Sequence, residues 1–335
     1  TLSKSPAFQW LVLSPPCTVR DGTRLACRLW VPEGAETTQV GVVLEALPYS
    51  KRDGTRERDN EWADLFCPYG FALARLDLRG SGESDGLLKD EYLAQEQQDI
   101  VDAIAFLARQ SWCNGSVGMR GISWGGFNSL QVAALNPPAL KAIVTACSTD
   151  DRYMDDAHYI GGALGLTSLH WGTMFRNVLA DAPDPAIVGD RWRDMWMDRL
   201  HNLPATQAEW IRHATYDEYW KHGSVAQDHG AIRCAVYAVG GQVDAYSASI
   251  PRMLEKLTAP RKGLIGPWGH QFPQSANPGP GLDWVVEEDE HEIDEGAYLG
   301  LLERTDTDRV PIVKTRYVVP WGGLTLEIDR FLSPR

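Results

Sequence analysis

The sequence predicts an α/β protein, a mainly parallel sheet with helices on both faces and a helical cap insertion, and three observations carry the prediction. Short apolar runs alternate with helix-compatible stretches from residue 40 to 147, the pattern of a parallel sheet covered on both sides. From about 150 to 230 that rhythm stops: no strand is apparent, and Trp171, Trp192, Trp196, Trp210 and Trp220 sit among polar, helix-compatible residues. Strand-like runs return at Cys234–Val239 and Lys262–Ile265. The expected division is therefore a core of residues 1–149 and 231–284, a helical cap of 150–230, and a tail of 285–335 with no assigned fold.

In order, Cys17–Pro32 reads as two short alternating strands joined by an Asp21-Gly22 turn. Val40–Ala46 is a buried-strand run that ends in Leu47-Pro48-Tyr49-Ser50-Lys51-Arg52, where α/β enzymes place functional loops. Residues 60–69 suit a helix, Phe71–Leu78 a strand, Arg79–Gly86 a loop and Glu91–Arg109 a helix with apolar Ile100, Val101, Ile104, Ala105 and Leu107. Ser116–Arg120 is a short strand, and Asn128–Leu135 is a helix stopped by Asn136-Pro137-Pro138. Between these two lies Gly121-Ile122-Ser123-Trp124-Gly125, which fits G-x-S-x-G, a sharp strand-to-helix turn that presents a serine hydroxyl. Three fixed letters are a weak signal alone, but strand, turn and helix are the context this motif requires. In such a turn a β-carbon at position 121 or 125 is expected to collide with the chain around Ser123.

Composition narrows the alternatives. With 335 residues, 44% of them apolar and 23% charged, the chain is long enough for one large domain with an insertion or for two domains, and a packed core is expected. A net charge of -13 argues against nucleic acid or an anionic membrane as partner. No apolar run approaches the roughly 20 residues that span a bilayer. The six cysteines are widely spaced without a C-x-x-C pair, which fits buried free thiols in a cytosolic enzyme better than zinc ligation, although one or two disulfides stay open. Lys4 and the interrupted apolar run Phe8–Leu13 make a poor signal peptide, so the expected location is cytoplasmic. The Gly80-x-Gly82 loop lacks a P-loop lysine and the dinucleotide fingerprint, so no nucleotide is expected there.

A serine becomes a nucleophile when a base takes its proton and a third group orients that base. Asp244 and His270 each follow a predicted strand, after Ser123 and in the order that α/β sheets use for such partners. Pro48-Tyr49, the segment Asp77–Gly86, Gly121–Gly126, Gly241-Gln242-Val243-Asp244 and Gly266-Pro267-Trp268-Gly269-His270 together resemble the cocaine esterase and X-prolyl dipeptidyl-peptidase family of serine hydrolases over about residues 15–280. The resemblance implies an α/β-hydrolase fold, Ser123 as nucleophile, His270 as general base, Asp244 as its orienting acid, and an oxyanion hole formed by the Tyr49 hydroxyl and the Trp124 backbone N–H. It implies neither metal nor cofactor.

In related α-amino-acid ester hydrolases, acids in the stretch corresponding to Thr149–Tyr159 meet a substrate amine. Asp155 and Asp156, with His158 and Trp171, are accordingly candidate substrate contacts. Helix capping or pairing with Arg152 explains the two acids equally well, and core packing explains the tryptophans. The expected activity is hydrolysis of a small-molecule carboxylic ester, with an X-Pro dipeptidyl-peptidase or amino-acid ester hydrolase as the alternative and a silent hydrolase fold used for binding as the rival outside enzymes. The family usually continues into a β-sandwich, whereas about 65 residues follow His270 here. Their segments 287–292, 314–317 and 326–331 resemble a CYTH-domain fragment, and 310–331 reads as a hairpin around Pro320-Trp321-Gly322-Gly323. A missing sandwich would bare apolar surface and favour a homo-oligomer.

Overall fold

A computed structural model describes residues 10–266 and 268–273. Its nine-stranded sheet comprises β1 (Trp10–Leu13), β2 (Pro16–Thr18), β3 (Arg24–Pro32), β4 (Val40–Leu47), β5 (Phe71–Asp77), β6 (Cys113–Ile122), β7 (Leu140–Ala146), β10 (Ala235–Gly241) and β11 (Arg261–Gly266). The strand order is β1-β3-β5-β4-β6-β7-β10-β11, with β2 paired to β3. From β5 to β11 every pairing is parallel, while β1, β2 and β3 join antiparallel. The Asp21-Gly22 turn does link β2 to β3, and Gly22 takes a φ of 87° there.

Parallel strands bury both faces, and the period of two along them separates two cores. Val42, Leu44 and Ala46 of β4 face one core with Ala72, Ala74 and Leu76 of β5, while Val43, Phe71 and Leu73 face the other. Residues from α2 (Ala94–Ala108), α3 (Trp124–Ala134) and α9 (Ser249–Lys256) fill the first core. Trp62, Ala63 and Phe66 of α1 (Arg56–Phe66) fill the second. The sequence-based boundaries thus shift by a few residues. The largest shifts, four residues at the start, are at α1 and at α3, which begins directly after Ser123.

Between β7 and β10 the chain carries β8 (Tyr159–Ile160), β9 (Ala163–Leu164), α4 (Leu166–Ala180), α5 (Pro185–Val188), α6 (Trp192–His201), α7 (Thr206–Arg212) and α8 (Glu218–Lys221). The small β8–β9 hairpin escaped the sequence reading because two-residue strands carry no periodic signal. Trp210 and Trp220 are fully buried, which assigns them to packing. Arg199 of α6 ties this segment to the loop after β5 by donating to the backbone carbonyls of Gly82 and Ser84. The loop after β5 is anchored by ion pairs: Arg79 pairs with Asp99 and Asp21, and Asp85 with Arg24 and Arg191. All six cysteines are free thiols, five of them buried. Among the described residues no helix is long and apolar enough to cross a membrane. The CYTH-like segments and the hairpin around residues 320–323 lie outside the described residues.

Candidate active site

Ser123 occupies the single-residue step between β6 and α3, with φ 56° and ψ -120°. A non-glycine residue with positive φ costs roughly 1–3 kcal/mol, so the surrounding structure must over-determine it. Two hydrogen bonds do so: the Ser123 N–H donates to Ala146 O at 2.9 Å, and its carbonyl accepts from Phe127 N–H at 2.9 Å. A β-carbon on Gly121 would lie 2.4 Å from the Gly125 carbonyl carbon, so residue 121 must be glycine. Gly125 departs from the expectation that both glycines face the same collision. Its β-carbon would instead come within 3.2 Å of the Leu47 side chain.

Asp244 and His270 follow the two strands at the far end of the sheet. Gly241 closes β10, where a β-carbon would fall 1.8 Å from the Trp268 carbonyl oxygen. That close approach lets the two loops bond directly, Gln242 N–H to Gly266 O at 2.8 Å and Val243 N–H to Trp268 O at 3.2 Å. It brings His270 Nδ1 to 3.0 Å from Asp244 Oδ1. A carboxylate accepts, so Nδ1 carries the proton and Nε2 presents its lone pair. The Asp244 side chain is 3% exposed and that of His270 is 45% exposed, a buried anchor beneath a ring open to solvent. The Tyr246 ring lies 5.7 Å from His270 and 5.6 Å from Phe127 in the first turn of α3.

Tyr49 stands two residues beyond β4, half-buried, with its ring edge-to-face on Trp124 at 6.4 Å. Its loop is clamped by two buried cations. Arg75 donates to the Tyr49 carbonyl and pairs with Asp59, and Lys51 donates to Asp77 Oδ2 at 2.6 Å and also to Glu83. Burial, reinforced by the Glu91 charge, pushes the Tyr49 phenol well above its ordinary range and keeps it a donor at neutral pH. Trp124 is the first residue of α3, where a backbone N–H has no intrahelical acceptor. Its indole donates to Glu96 at 2.6 Å, and burial pushes that carboxyl up to about 8.

The four candidate substrate contacts separate. Trp171 on α4 is half-buried, its ring 6.1 Å from Trp124 and its indole N–H 2.9 Å from Glu91 Oε2. Asp156 is buried, accepts from the Tyr246 hydroxyl at 3.1 Å, and leaves Oδ2 without a hydrogen-bond partner among the described residues. Asp155 turns elsewhere, engaged by Thr149 and paired to Arg252 at 2.9 Å. His158 is 1% exposed, bonded to Glu91 and set against the rings of Trp210 and Trp220. Asp155 is thus engaged by Thr149 and Arg252, and His158 binds Glu91 through Nε2 while its buried Nδ1 has no hydrogen-bond partner among the described residues.

Three residues near the site had escaped notice. Glu91 accepts from Arg152, His158 and Trp171, yet the sequence marks it only as the start of an expected helix, which begins three residues later at Ala94. Tyr246, two residues past Asp244, bridges Asp156 and His270, and its proximity to Asp244 was the available clue. Cys147 directly follows β7 with φ 47°, an outlier that no sequence pattern announces.

A parallel sheet carrying a strained serine between strand and helix, and an Asp–His pair on later strands, is the architecture of the α/β-hydrolases. The profile of the family described as X-Pro dipeptidyl-peptidase (S15 family) matches residues 21–271. The chain belongs to that family of serine hydrolases. It is 26% identical over 279 residues to cocaine esterase from Rhodococcus sp. (strain MB1 Bresler), covering 75% of this chain and 47% of that one. It thus spans about half the length of this relative. A CocE/NonD family hydrolase from Staphylococcus aureus shares the fold with a TM-score of 0.61 at 20% identity, over 77% of this chain and 46% of that structure. An α-amino acid ester hydrolase structure gives 0.56 at 21% identity, over 78% and 48%.

Proposed function

We propose that this chain hydrolyses small carboxylic esters through an acyl-Ser123 intermediate. The observation that carries the reading is the Asp244–His270 pair, 3.0 Å apart and so oriented that Nε2 is left as the base, on strands that follow the strained serine turn. Ser123 Oγ attacks the acyl carbon while His270 Nε2 takes its proton. The oxyanion accepts hydrogen bonds from the Tyr49 hydroxyl and the Trp124 N–H. His270 then protonates the departing alkoxide, and in the second half-reaction it deprotonates the water that frees the acid. Asp244 holds the imidazole tautomer and stabilises the imidazolium that forms in each half. A fold used only for binding has no need of this set. Tyr49→Phe removes one oxyanion donor and should lower kcat about 10²–10³-fold with a smaller change in KM, measured by initial rates on p-nitrophenyl butyrate.

Neutral esters are the favoured substrates because Glu91 already has an internal counter-charge. Arg152 pairs with Glu91 at 2.9 Å, and the neighbouring Glu91 and Asp156 charges hold His158 above its ordinary pKa. The unpartnered Asp156 Oδ2 favours a second reading, an amino-acid ester hydrolase or X-Pro peptidase in which that oxygen meets a substrate ammonium. Rates on p-nitrophenyl acetate and butyrate, phenylglycine methyl ester and Ala-Pro-p-nitroanilide separate the two. Preference for the neutral esters upholds the esterase. Preference for the amines replaces it, and then KM for them should rise as pH falls through about 6, because burial raises the Asp156 pKa to that value and protonation removes its charge.

A further inference from the structure

Cys147 has no part in the proposed reaction, yet it lies beside the acid–base pair. One donor atom each from Cys147, Asp244 and His270 falls within 4.8 Å of the others. The strand order explains the meeting. Cys147 follows β7 and Asp244 follows β10, its hydrogen-bonded neighbour, and the Cys147 N–H bonds to Val239 O of β10 at 2.9 Å. The loop carrying His270 wraps the thiol, with the Gly269 and Gln271 carbonyls 3.9 and 3.7 Å from Sγ. Asp244 Oδ2 is buried and has no hydrogen-bond partner among the described residues.

We propose that Cys147, Asp244 and His270 form a binding site for a soft or borderline divalent cation of the zinc or cadmium type, and that its occupation switches the enzyme off. One thiolate, one imidazole and one carboxylate are the donor set such cations select, with a fourth position left for water. The distances fit. Tetrahedral ligands at about 2.1 Å from zinc stand about 3.4 Å apart, and a sulfur at about 2.3 Å stands about 3.6 Å from each of them. The Nδ1–Oδ1 pair is already at 3.0 Å, so the thiol needs to move in by little more than about 1 Å from the 4.8 Å limit. Access runs past the His270 ring, and the net charge of -13 draws cations toward the protein.

The chemistry of inhibition follows from the ligand atoms. The Cys147 S–H proton leaves to buffer and the thiolate lone pair goes to the cation. His270 gives its Nδ1 lone pair to the cation, so its remaining proton moves to Nε2. Nε2–H cannot accept the Ser123 proton, and Asp244 no longer orients the ring. That consequence rests on the acid–base roles proposed above, whereas the binding itself does not.

The test has two arms, both on the full chain without thiol reductant or chelator. In the first, Zn²⁺ is titrated against p-nitrophenyl butyrate hydrolysis, with Mg²⁺ as control and EDTA to reverse. Zn²⁺ should inhibit reversibly and Mg²⁺ should not. Cys147→Ala, normalised to its own zinc-free rate, should raise the half-inhibitory Zn²⁺ concentration at least about tenfold. In the second, Cd²⁺ is added to Ser123→Ala protein and the ultraviolet sulfur-to-cadmium charge-transfer absorption is recorded. One equivalent should develop it, and the Cys147→Ala double variant should lack it. Persistence of that absorption in the double variant, or inhibition of Cys147→Ala at the same zinc concentration that inhibits the parent, would overturn the site. A cysteine-dependent cadmium signal with no zinc inhibition would uphold the site and count instead against His270 and Asp244 as the acid–base pair.

Discussion

Ser123→Ala is expected to lower kcat on p-nitrophenyl butyrate by about 10⁵–10⁶-fold, some 7–8 kcal/mol of transition-state stabilisation. The residue left by deletion of the nucleophile is the rate that the oxyanion donors and substrate binding give alone, roughly 10³–10⁴ over water in the best-studied triads. The substitution is clean because alanine keeps the β-carbon. The strain at φ 56°, the 2.9 Å bond to Ala146 O and the 2.9 Å bond from Phe127 N–H are all retained. Thermal unfolding should accordingly change little. A variant that keeps its melting temperature and its activity would remove Ser123 from the mechanism.

Asp244→Asn should cost about 10⁴ in kcat with little change in KM. The effect comes through the histidine. Asp244 is an acceptor opposite Nδ1 at 3.0 Å, so the ring keeps its proton there and presents Nε2 as base. An asparagine NH₂ turned toward the ring would make Nδ1 the acceptor and move the proton to Nε2, the atom that must accept from Ser123. With Asp244 gone as an anion, the imidazolium formed during attack also loses its counter-charge. Initial rates and KM for the neutral ester read both effects. A loss below tenfold would show that His270 is oriented by something else.

Much of the core was legible in the sequence because its signals are local. The apolar runs of β4 and β5, the Asp21-Gly22 turn and Gly121 before Ser123 each answer to a steric or periodic demand of a few residues. The order Ser123, Asp244, His270 was legible because each of these residues follows a strand. Glu91, Tyr246 and Cys147 were not, since their roles arise where loops separated by tens of residues meet above the sheet. The tryptophans between β7 and β10 show the same limit. Residue type alone does not separate buried Trp210 and Trp220 from Trp171, which packs on Trp124. Asp155 and Asp156 were indistinguishable as neighbours in sequence, yet one pairs with Arg252 and the other meets Tyr246. Even the elbow held a surprise, because what limits Gly125 is Leu47 at the end of β4 rather than the turn itself.

The central claim is that Ser123 is a nucleophile activated by His270. Its most direct test is covalent labelling with a fluorophosphonate, followed by mass spectrometry of the intact chain and its peptides. The account predicts one phosphonyl group per chain, on the peptide that holds Ser123, with labelling and ester hydrolysis lost in parallel when His270 is replaced by alanine. A label on another residue, or none on a chain that still hydrolyses the ester, would contradict it.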